Sequence, residues 1–168
     1  IGVYQPLAWM ILEAQYSLWG LDPAGYHGAS LALHAANVVV LYVLVKTLLR
    51  RASPGEWVAD GDRRALDLAS AFAAALFAVH PLRVEVVAWI SCQPYLPAVF
   101  FAMTAVLAYL RAHPADGSVR RGWVVAAWLL AVAAMLCKAV AVTLPALLIL
   151  LDVYPLRRIG PGRWFDRR

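Results

Sequence analysis

The sequence has few charged residues and few cysteines, and each shortage excludes a class of protein. Only 15% of the 168 residues are charged, whereas soluble domains have about a quarter. The two cysteines are too few for a disulfide framework, and they lack the close spacing of a zinc knuckle. The fifteen Lys and Arg residues fall in short clusters between apolar runs and not on one face, so we expect no nucleic-acid partner.

Hydrophobic residues make up 63% of the chain, a composition typical of membrane proteins. A helix needs about 20 apolar residues to cross a bilayer. Backbone polar groups must be paired within lipid, which favours helices. The sequence therefore predicts an all-α integral membrane protein with about five transmembrane helices plus short interfacial helices. The five apolar runs are 28–49, 66–79, 95–110, 123–136 and 140–154.

The chain is interpreted as a single membrane domain, 1–168, with three parts. Residues 1–25 combine apolar and aromatic side chains with polar Glu13 and Gln15, which favours an interfacial helix at the outer face. Residues 26–158 carry the transmembrane helices. Residues 159–168 form a basic cytoplasmic tail.

Local signals predict breaks and turns between the runs. The pair His80-Pro81 ends the second helix. Residues 84–90 suit a short interfacial helix anchored by Trp89. Only residues 137–139 separate the last two runs, so we predict a tight helical hairpin there. Local kinks are predicted at Pro94, Pro97 and Pro145.

The basic residues predict an orientation in the membrane. If the loop after the first run is cytoplasmic, only Arg83 and Lys138 lie outside, as the positive-inside rule requires. We therefore predict an integral membrane protein with its N-terminus outside, its C-terminus in the cytoplasm and at least one span upstream. The basic residues placed inside are Lys46, Arg50, Arg51, Arg63, Arg64, Arg111, Arg120, Arg121, Arg157, Arg158, Arg163, Arg167 and Arg168.

The scarce polar groups of the outer side define a candidate site. His80, Arg83 and Glu85 place an imidazole, a guanidinium and a carboxylate within six residues. They can bind a phosphate and position an acceptor, or Arg83 can pair with Glu85 while His80 caps a helix end. Lys138 either faces a lipid-linked phosphate or extends to the headgroups.

Polar residues within the runs leave further alternatives open. His34 and Asn37 form a buried hydrogen-bonded pair that holds helices together, line a substrate cavity, or supply His34 as the axial ligand of a haem or chlorophyll. Cys92 and Cys137 can pair if the outer compartment is oxidising. Asp152, at the inner end of the last run, is explained by pairing with a nearby arginine.

Five motifs, in order along nearly the whole chain, resemble those of the transmembrane, TPR-containing O-mannosyltransferase-like family. The His80 block is similar to the family's H-P-x-H-x-E-x-V-A-W-x-S, and the Lys138 block is similar to its S-K-x-x-x-V-T-L-P. The motifs are YQPL at 4–7, WGLDPAGYH at 19–27, LHAAN at 33–37, HPLRVEVVAWIS at 80–91, and KAVAVTLP at 138–145 with LD at 151–152.

The resemblance implies a class C glycosyltransferase fold that takes a sugar from a polyprenyl-phosphate donor on the lumenal or periplasmic side. A cationic cluster would hold the donor phosphate while a carboxylate deprotonates the acceptor. The expected partners are membrane lipids and this donor. No metal ligand set is evident, while a divalent ion or bound lipid stays open as a cofactor. The implied catalytic residues are Glu85 and His80, and the implied substrate-binding residues are Arg83, Lys138, His34, Asn37 and Tyr4.

Departures from the family pattern support a second hypothesis. Gln5 replaces an Arg, Arg83 replaces a His, and residues 92–95 replace a Gly-Arg-x-Asp stretch. The family's acidic motif, upstream of its Y-R-P-L, and its TPR repeats do not occur in this sequence. The alternative is therefore a non-catalytic transmembrane subunit that packs in a larger membrane complex with other integral subunits.

Overall fold

The computed structural model describes residues 4–52, 60–114, 117–154, 156 and 158. Over these residues the chain is helical and has no β-strand, so the all-α prediction is confirmed. In chain order the helices are α1 (Pro6–Trp19), α2 (Pro23–Ala52), α3 (Asp60–Val79), α4 (Arg83–Ala88), α5 (Tyr95–Ala112), α6 (Arg121–Cys137) and α7 (Leu144–Val153). Two 3₁₀ turns, Ile90–Cys92 and Ala139–Thr143, precede α5 and α7.

Two helical segments are long and apolar enough to cross a membrane. They are α2, with 30 residues, and the 23-residue stretch Ile90–Ala112. The apolar helices Arg121–Cys137 and Ala139–Val153 are shorter. The five-span arrangement therefore stays a prediction. The predicted tail 159–168 and the inner residue Arg157 lie outside the described residues.

A tight turn folds α1 back onto α2. Gly20 ends α1 with a φ of 57°, a left-handed conformation that suits glycine. The Asp22 carboxylate accepts a hydrogen bond of 3.0 Å from the Ala24 backbone N–H, and the Tyr26 hydroxyl donates one of 2.8 Å to the Gly20 carbonyl. A Cβ atom on Gly25 would overlap the Trp19 indole, so glycine is required there.

The core lies where α5 packs against α2, α6 and α7. Its buried apolar residues are Leu44, Ala105, Val106, Leu107, Leu110, Leu144 and Leu151. The predicted hairpin of the last two runs is wrong in its packing, because α6 lies along α5 and the Ala139–Thr143 turn separates it from α7. This arrangement buries the small face of α6, including Ala127 and Ala134, against α5.

Three prolines, Pro94, Pro97 and Pro145, lie at the starts of helices. Pro94 immediately precedes α5, Pro97 is the third residue of α5, and Pro145 is the second residue of α7. In the first turn of a helix the backbone N–H has no intrahelical partner, so proline loses nothing there. The kinks at Pro94, Pro97 and Pro145 stay predictions, whereas α3 ends at Val79, before His80-Pro81, as predicted.

Helix α3 has one face packed on α2 and an apolar face left exposed. The packed side carries small residues, Ser70 and Ala74, which allow the helices to approach closely. The exposed stripe, at helical spacing, consists of Leu68, Phe72, Leu76 and Val79. An uncovered stripe of this kind is ordinary for a helix that faces lipid.

Candidate functional site

The polar side chains gather at two ends of the helical bundle. The upper end comprises the N-terminal half of α2, the C-terminal ends of α3 and α6, and the start of α5. The lower end comprises the C-terminal ends of α2, α5 and α7. Along α2, the rise from Ser30 to Arg51 separates the two ends by about 30 Å.

The lower end is a network of charged and polar contacts. Arg51 donates hydrogen bonds of 2.8 Å to the His113 carbonyl and 2.5 Å to the Leu110 carbonyl, which caps the end of α5. Arg158 pairs with Asp152 at 3.0 Å, so the predicted pairing of Asp152 with an arginine is confirmed. These contacts tie the ends of α2, α5 and α7 together.

The segment 80–85 lies at the upper end, but its three functional groups do not contact one another. The His80 Nδ1 atom accepts a hydrogen bond of 3.2 Å from the Leu82 backbone N–H, which shapes the turn into α4. The Arg83 guanidinium lies 4.7 Å from the Phe77 ring centroid. Glu85 is exposed in the first turn of α4. In the described part of the chain, Arg83 and Glu85 form no ion pair.

Lys138 lies at the same end, immediately after α6. Its Nζ atom lies 4.5 Å from the ring centroid of Tyr95, the first residue of α5. A lysine at a helix C-terminus complements the helix dipole, and the aromatic face orients the ammonium group without neutralising it. The upper end therefore carries two cations, Arg83 and Lys138, each resting on a ring.

His34 and Asn37 each bond to a neighbouring helix and not to each other. The His34 Nε2 atom lies 3.1 Å from the Ala78 carbonyl, and Asn37 donates a hydrogen bond of 3.0 Å to the Leu96 carbonyl. Because a carbonyl only accepts, His34 must be protonated at Nε2. Nδ1 of His34 and Oδ1 of Asn37 are then buried acceptors without a partner. Holding helices together is thus the alternative that this geometry favours.

Phe77 and the contact between two glutamines also belong to the upper end, and the sequence predicted neither role. The Phe77 ring stacks with the His34 imidazole at 5.6 Å and also contacts Arg83. Gln15 and Gln93 are buried and exchange amide hydrogen bonds of 3.0 and 3.1 Å. Nothing in the sequence distinguishes Phe77 from the other aromatic residues of the apolar runs. The two glutamines do carry a signal, because polar amides in apolar surroundings need hydrogen-bond partners.

Three further predictions concern residues at the upper end: Tyr4, the two cysteines and a metal site. Tyr4 is 82% exposed and stands apart from the contacts above. Cys92 and Cys137 are both free, so they do not pair in this structure; the Cys92 thiol lies 3.7 Å from a Glu85 oxygen. The described residues hold no group of three or more His, Cys, Asp or Glu side chains that could bind a metal ion.

Comparison with known proteins supplies the family. No protein-family model and no solved structure matches the chain. The chain is 32% identical over 154 residues to the protein O-mannosyl-transferase Tmtc1 of Drosophila melanogaster. The matched segment covers 90% of the chain and 16% of that protein. The protein O-mannosyl-transferase TMTC4 of Homo sapiens is 32% identical over 160 residues, or 89% of the chain and 21% of that protein.

A third relative gives the same result. The protein O-mannosyl-transferase TMTC2 of Homo sapiens is 28% identical over 158 residues, or 93% of the chain and 17% of that protein. The chain thus spans about a sixth to a fifth of the length of these curated relatives. Over the segment that it spans, the chain is a member of the transmembrane, TPR-containing O-mannosyltransferase-like family.

Proposed function

We propose that the chain is the membrane-embedded part of a polyprenyl-phosphate-sugar-dependent glycosyltransferase of the O-mannosyltransferase type. The observation that carries this proposal is the gathering of Glu85, His80 and two ring-supported cations at one end of the bundle. The names of the relatives support the type of transfer, since each is called a protein O-mannosyl-transferase.

The proposed setting is a bilayer, with the upper end facing out. Two candidate spans and the exposed apolar stripe of α3 support insertion into lipid. The basic residues of the lower end, such as Arg51 and Arg158, support a cytoplasmic location for that end. In a bacterial inner membrane this arrangement leaves the N-terminal side outside and the C-terminal side inside. It also brings the upper end to the leaflet where a flipped polyprenyl-phosphate sugar presents its headgroup.

The proposed reaction is a displacement at the anomeric carbon. The acceptor oxygen forms a bond to that carbon, the bond from carbon to the phosphate oxygen breaks, and polyprenyl phosphate leaves with the bonding electron pair. Glu85 takes the proton of the acceptor hydroxyl. Arg83 and Lys138 stabilise the charge that develops on the phosphate, and His80 assists at the same headgroup.

The remaining substrate-binding residues would act on the sugar. His34 and Asn37 are bonded to the Ala78 and Leu96 carbonyls, and their unpartnered atoms are buried, so in this proposal they reach the sugar only if the upper end opens on binding. The exposed Tyr4 phenol can contact a substrate from the outer surface. No step is assigned to a metal ion.

The test is sugar transfer by membranes that contain the protein, using polyprenyl-phosphate [³H]mannose and a Ser/Thr peptide. We expect Glu85→Gln to lower turnover by about 10² or more, the usual contribution of a general base. Lys138→Met should weaken donor binding. The matched controls are Glu13→Gln, an exposed carboxylate on α1, and Arg111→Met, a cation that lies 5.2 Å from the Trp123 ring. Turnover unchanged in Glu85→Gln and Lys138→Met would remove this site.

The second candidate is a non-catalytic subunit of a larger membrane complex. The observation that favours it is that His80, Arg83 and Lys138 already have partners within the chain. The exposed apolar stripe of α3 would then contact another integral subunit. This candidate predicts stoichiometric co-purification with other membrane proteins. A chain that purifies alone and monomeric in detergent contradicts it.

A further inference from the structure

A buried set of hydrogen bonds joins three elements at the upper end. The Gln93 amide nitrogen lies 2.9 Å from the Ser30 hydroxyl, 3.1 Å from the Gln15 side-chain oxygen and 3.2 Å from the Tyr26 carbonyl. Gln15 returns a hydrogen bond of 3.0 Å to the Gln93 side-chain oxygen. We call these groups of Gln15, Ser30, Gln93 and Tyr26 the glutamine clasp. It connects α1 and α2 to the residues just before α5.

The glutamine clasp is closed to water. Gln15 is 6% exposed, Gln93 is 2% exposed and Ser30 is 1% exposed. Inside a low-dielectric interior such hydrogen bonds are strong, and a partner left unpaired is costly. The segment that contains Gln93 is therefore held firmly against α1 and α2.

Gln93 is connected directly to the residues around Glu85. It follows the Ile90–Cys92 turn, and its backbone N–H donates a hydrogen bond of 3.1 Å to the Ile90 carbonyl. The preceding residue, Cys92, has its thiol 3.7 Å from a Glu85 carboxylate oxygen. Three residues further on, the Leu96 carbonyl accepts from Asn37 of α2. The turn that contacts Glu85 is thus fastened to α2 on its C-terminal side by two separate contacts.

We propose that Gln93 is a positioning residue for Glu85, with Gln15 as its partner on α1. The glutamine clasp fixes the position of the Ile90–Cys92 turn. Through the Cys92 thiol, this turn then fixes the position of the Glu85 carboxylate. Displacement of α1 would release the turn. This inference rests on the proposed function for its catalytic meaning, but the coupling itself can be measured without turnover.

The experiment uses Cys92 as a reporter in the whole chain, in detergent, with Cys137→Ala to remove the buried second thiol. The probe is N-ethylmaleimide, and the measured quantity is the rate of Cys92 modification. Gln93→Leu should raise this rate about tenfold, because it leaves the Gln15 amide buried and unpaired. Ser30→Ala should raise the rate less, because the two hydrogens of the Gln93 amide group can still bond to the Gln15 oxygen and the Tyr26 carbonyl; it still serves if Gln93→Leu fails to fold. The matched control is Ser70→Ala, a buried serine bonded within its own helix.

Transfer kinetics provide the second measurement. We expect Gln93→Leu to lower kcat while KM for the donor stays constant, because the ring-supported cations Arg83 and Lys138 are left in place. The double variant Gln15→Leu, Gln93→Leu replaces both buried amides by apolar side chains and leaves no unpaired polar group, so its melting temperature should recover. It does not restore the hydrogen bonds that hold the Ile90–Cys92 turn, so kcat should stay low.

The outcomes separate the two proposals. Faster Cys92 modification in a protein without any transfer activity upholds the coupling and overturns the proposed function. Unchanged Cys92 modification in both Gln93→Leu and Ser30→Ala overturns the inference, whatever the transfer activity. A double variant that regains kcat together with stability also overturns it, because Gln93 would then be only structural.

Discussion

Tyr109 donates a hydrogen bond of 2.6 Å to Asp152, and this contact joins α5 to α7 at the lower end of the bundle. Arg158 approaches the same pair, 3.1 Å from the Tyr109 hydroxyl and 3.0 Å from Asp152. A hydrogen bond between a neutral hydroxyl and a charged carboxylate is stronger than one between neutral groups. The lower end is therefore a structural fastening, distant from the proposed chemistry.

Removal of the Tyr109 hydroxyl should lower the free energy of unfolding and leave the rate of sugar transfer unchanged. We expect Tyr109→Phe to lower the free energy of unfolding by roughly 1–3 kcal/mol, since Asp152 loses a partner in a half-buried position. Thermal unfolding in detergent measures the effect. Tyr16→Phe, at an exposed tyrosine of α1, is the control and should leave the melting temperature unchanged. Equal melting temperatures for the two variants would show that the hydroxyl contributes nothing.

The turn between α1 and α2 predicts opposite results for two neighbouring glycines. Gly25→Ala drives a methyl group into the Trp19 indole, so we expect a loss of about 1–3 kcal/mol from overpacking. Gly28→Ala meets no atom within 4 Å and should be neutral or slightly stabilising within α2. Thermal unfolding of both variants checks the prediction. Equal destabilisation would mean that the turn is packed differently.

The exposed stripe of α3 predicts where lipid contacts the protein. Leu76→Asp places a charge in the apolar stripe near the end of α3, where the cost of insertion lies below the roughly 2.5–3.5 kcal/mol of a charge at the centre of a membrane helix. We expect a smaller membrane-integrated fraction, measured by alkaline carbonate extraction. The control is Val119→Asp, at an exposed position outside the helices. Full integration of Leu76→Asp would show that this stripe does not face lipid.

Two substitutions of Asn37 test whether its side-chain amide holds α2 to α5. Asn37→Leu removes the donor to the Leu96 carbonyl and should cost roughly 1–3 kcal/mol. Asn37→Asp should cost more, since it buries a charge beside a carbonyl oxygen. The order of the two melting temperatures, with Leu above Asp, is the measured outcome. The reverse order would mean that the site is accessible to water.

Local features of the fold could be predicted from the sequence because their causes are local. His80-Pro81 ends α3 and the Gly20 turn ends α1 through backbone chemistry within a few residues. The predicted packing of α6 on α7 failed, because α6 packs against α5, the helix before it, and not against the helix after it. Apolar runs of similar composition lie on both sides of α6, so the sequence alone does not decide between them.

The candidate site also combines features that the sequence predicted with features that it did not. The sequence correctly indicated that the groups of residues 80–85 and Lys138 lie at one end, since alternation of helix direction follows from the order of the runs. It did not indicate the Gln15–Gln93 contact, which joins residues 78 positions apart. Nor did it indicate that Arg83 rests on Phe77, because an aromatic residue in an apolar run looks like any other core residue.

Phe77 contacts both the His34 imidazole and the Arg83 guanidinium from the last turn of α3. Each residue of a helix is turned by about 100° from the one before. A one-residue rotation of α3 about its axis would therefore withdraw the ring from both neighbours at once. The His34 imidazole on α2 and the Arg83 guanidinium on α4 thus share one aromatic neighbour, and both contacts depend on the orientation of α3.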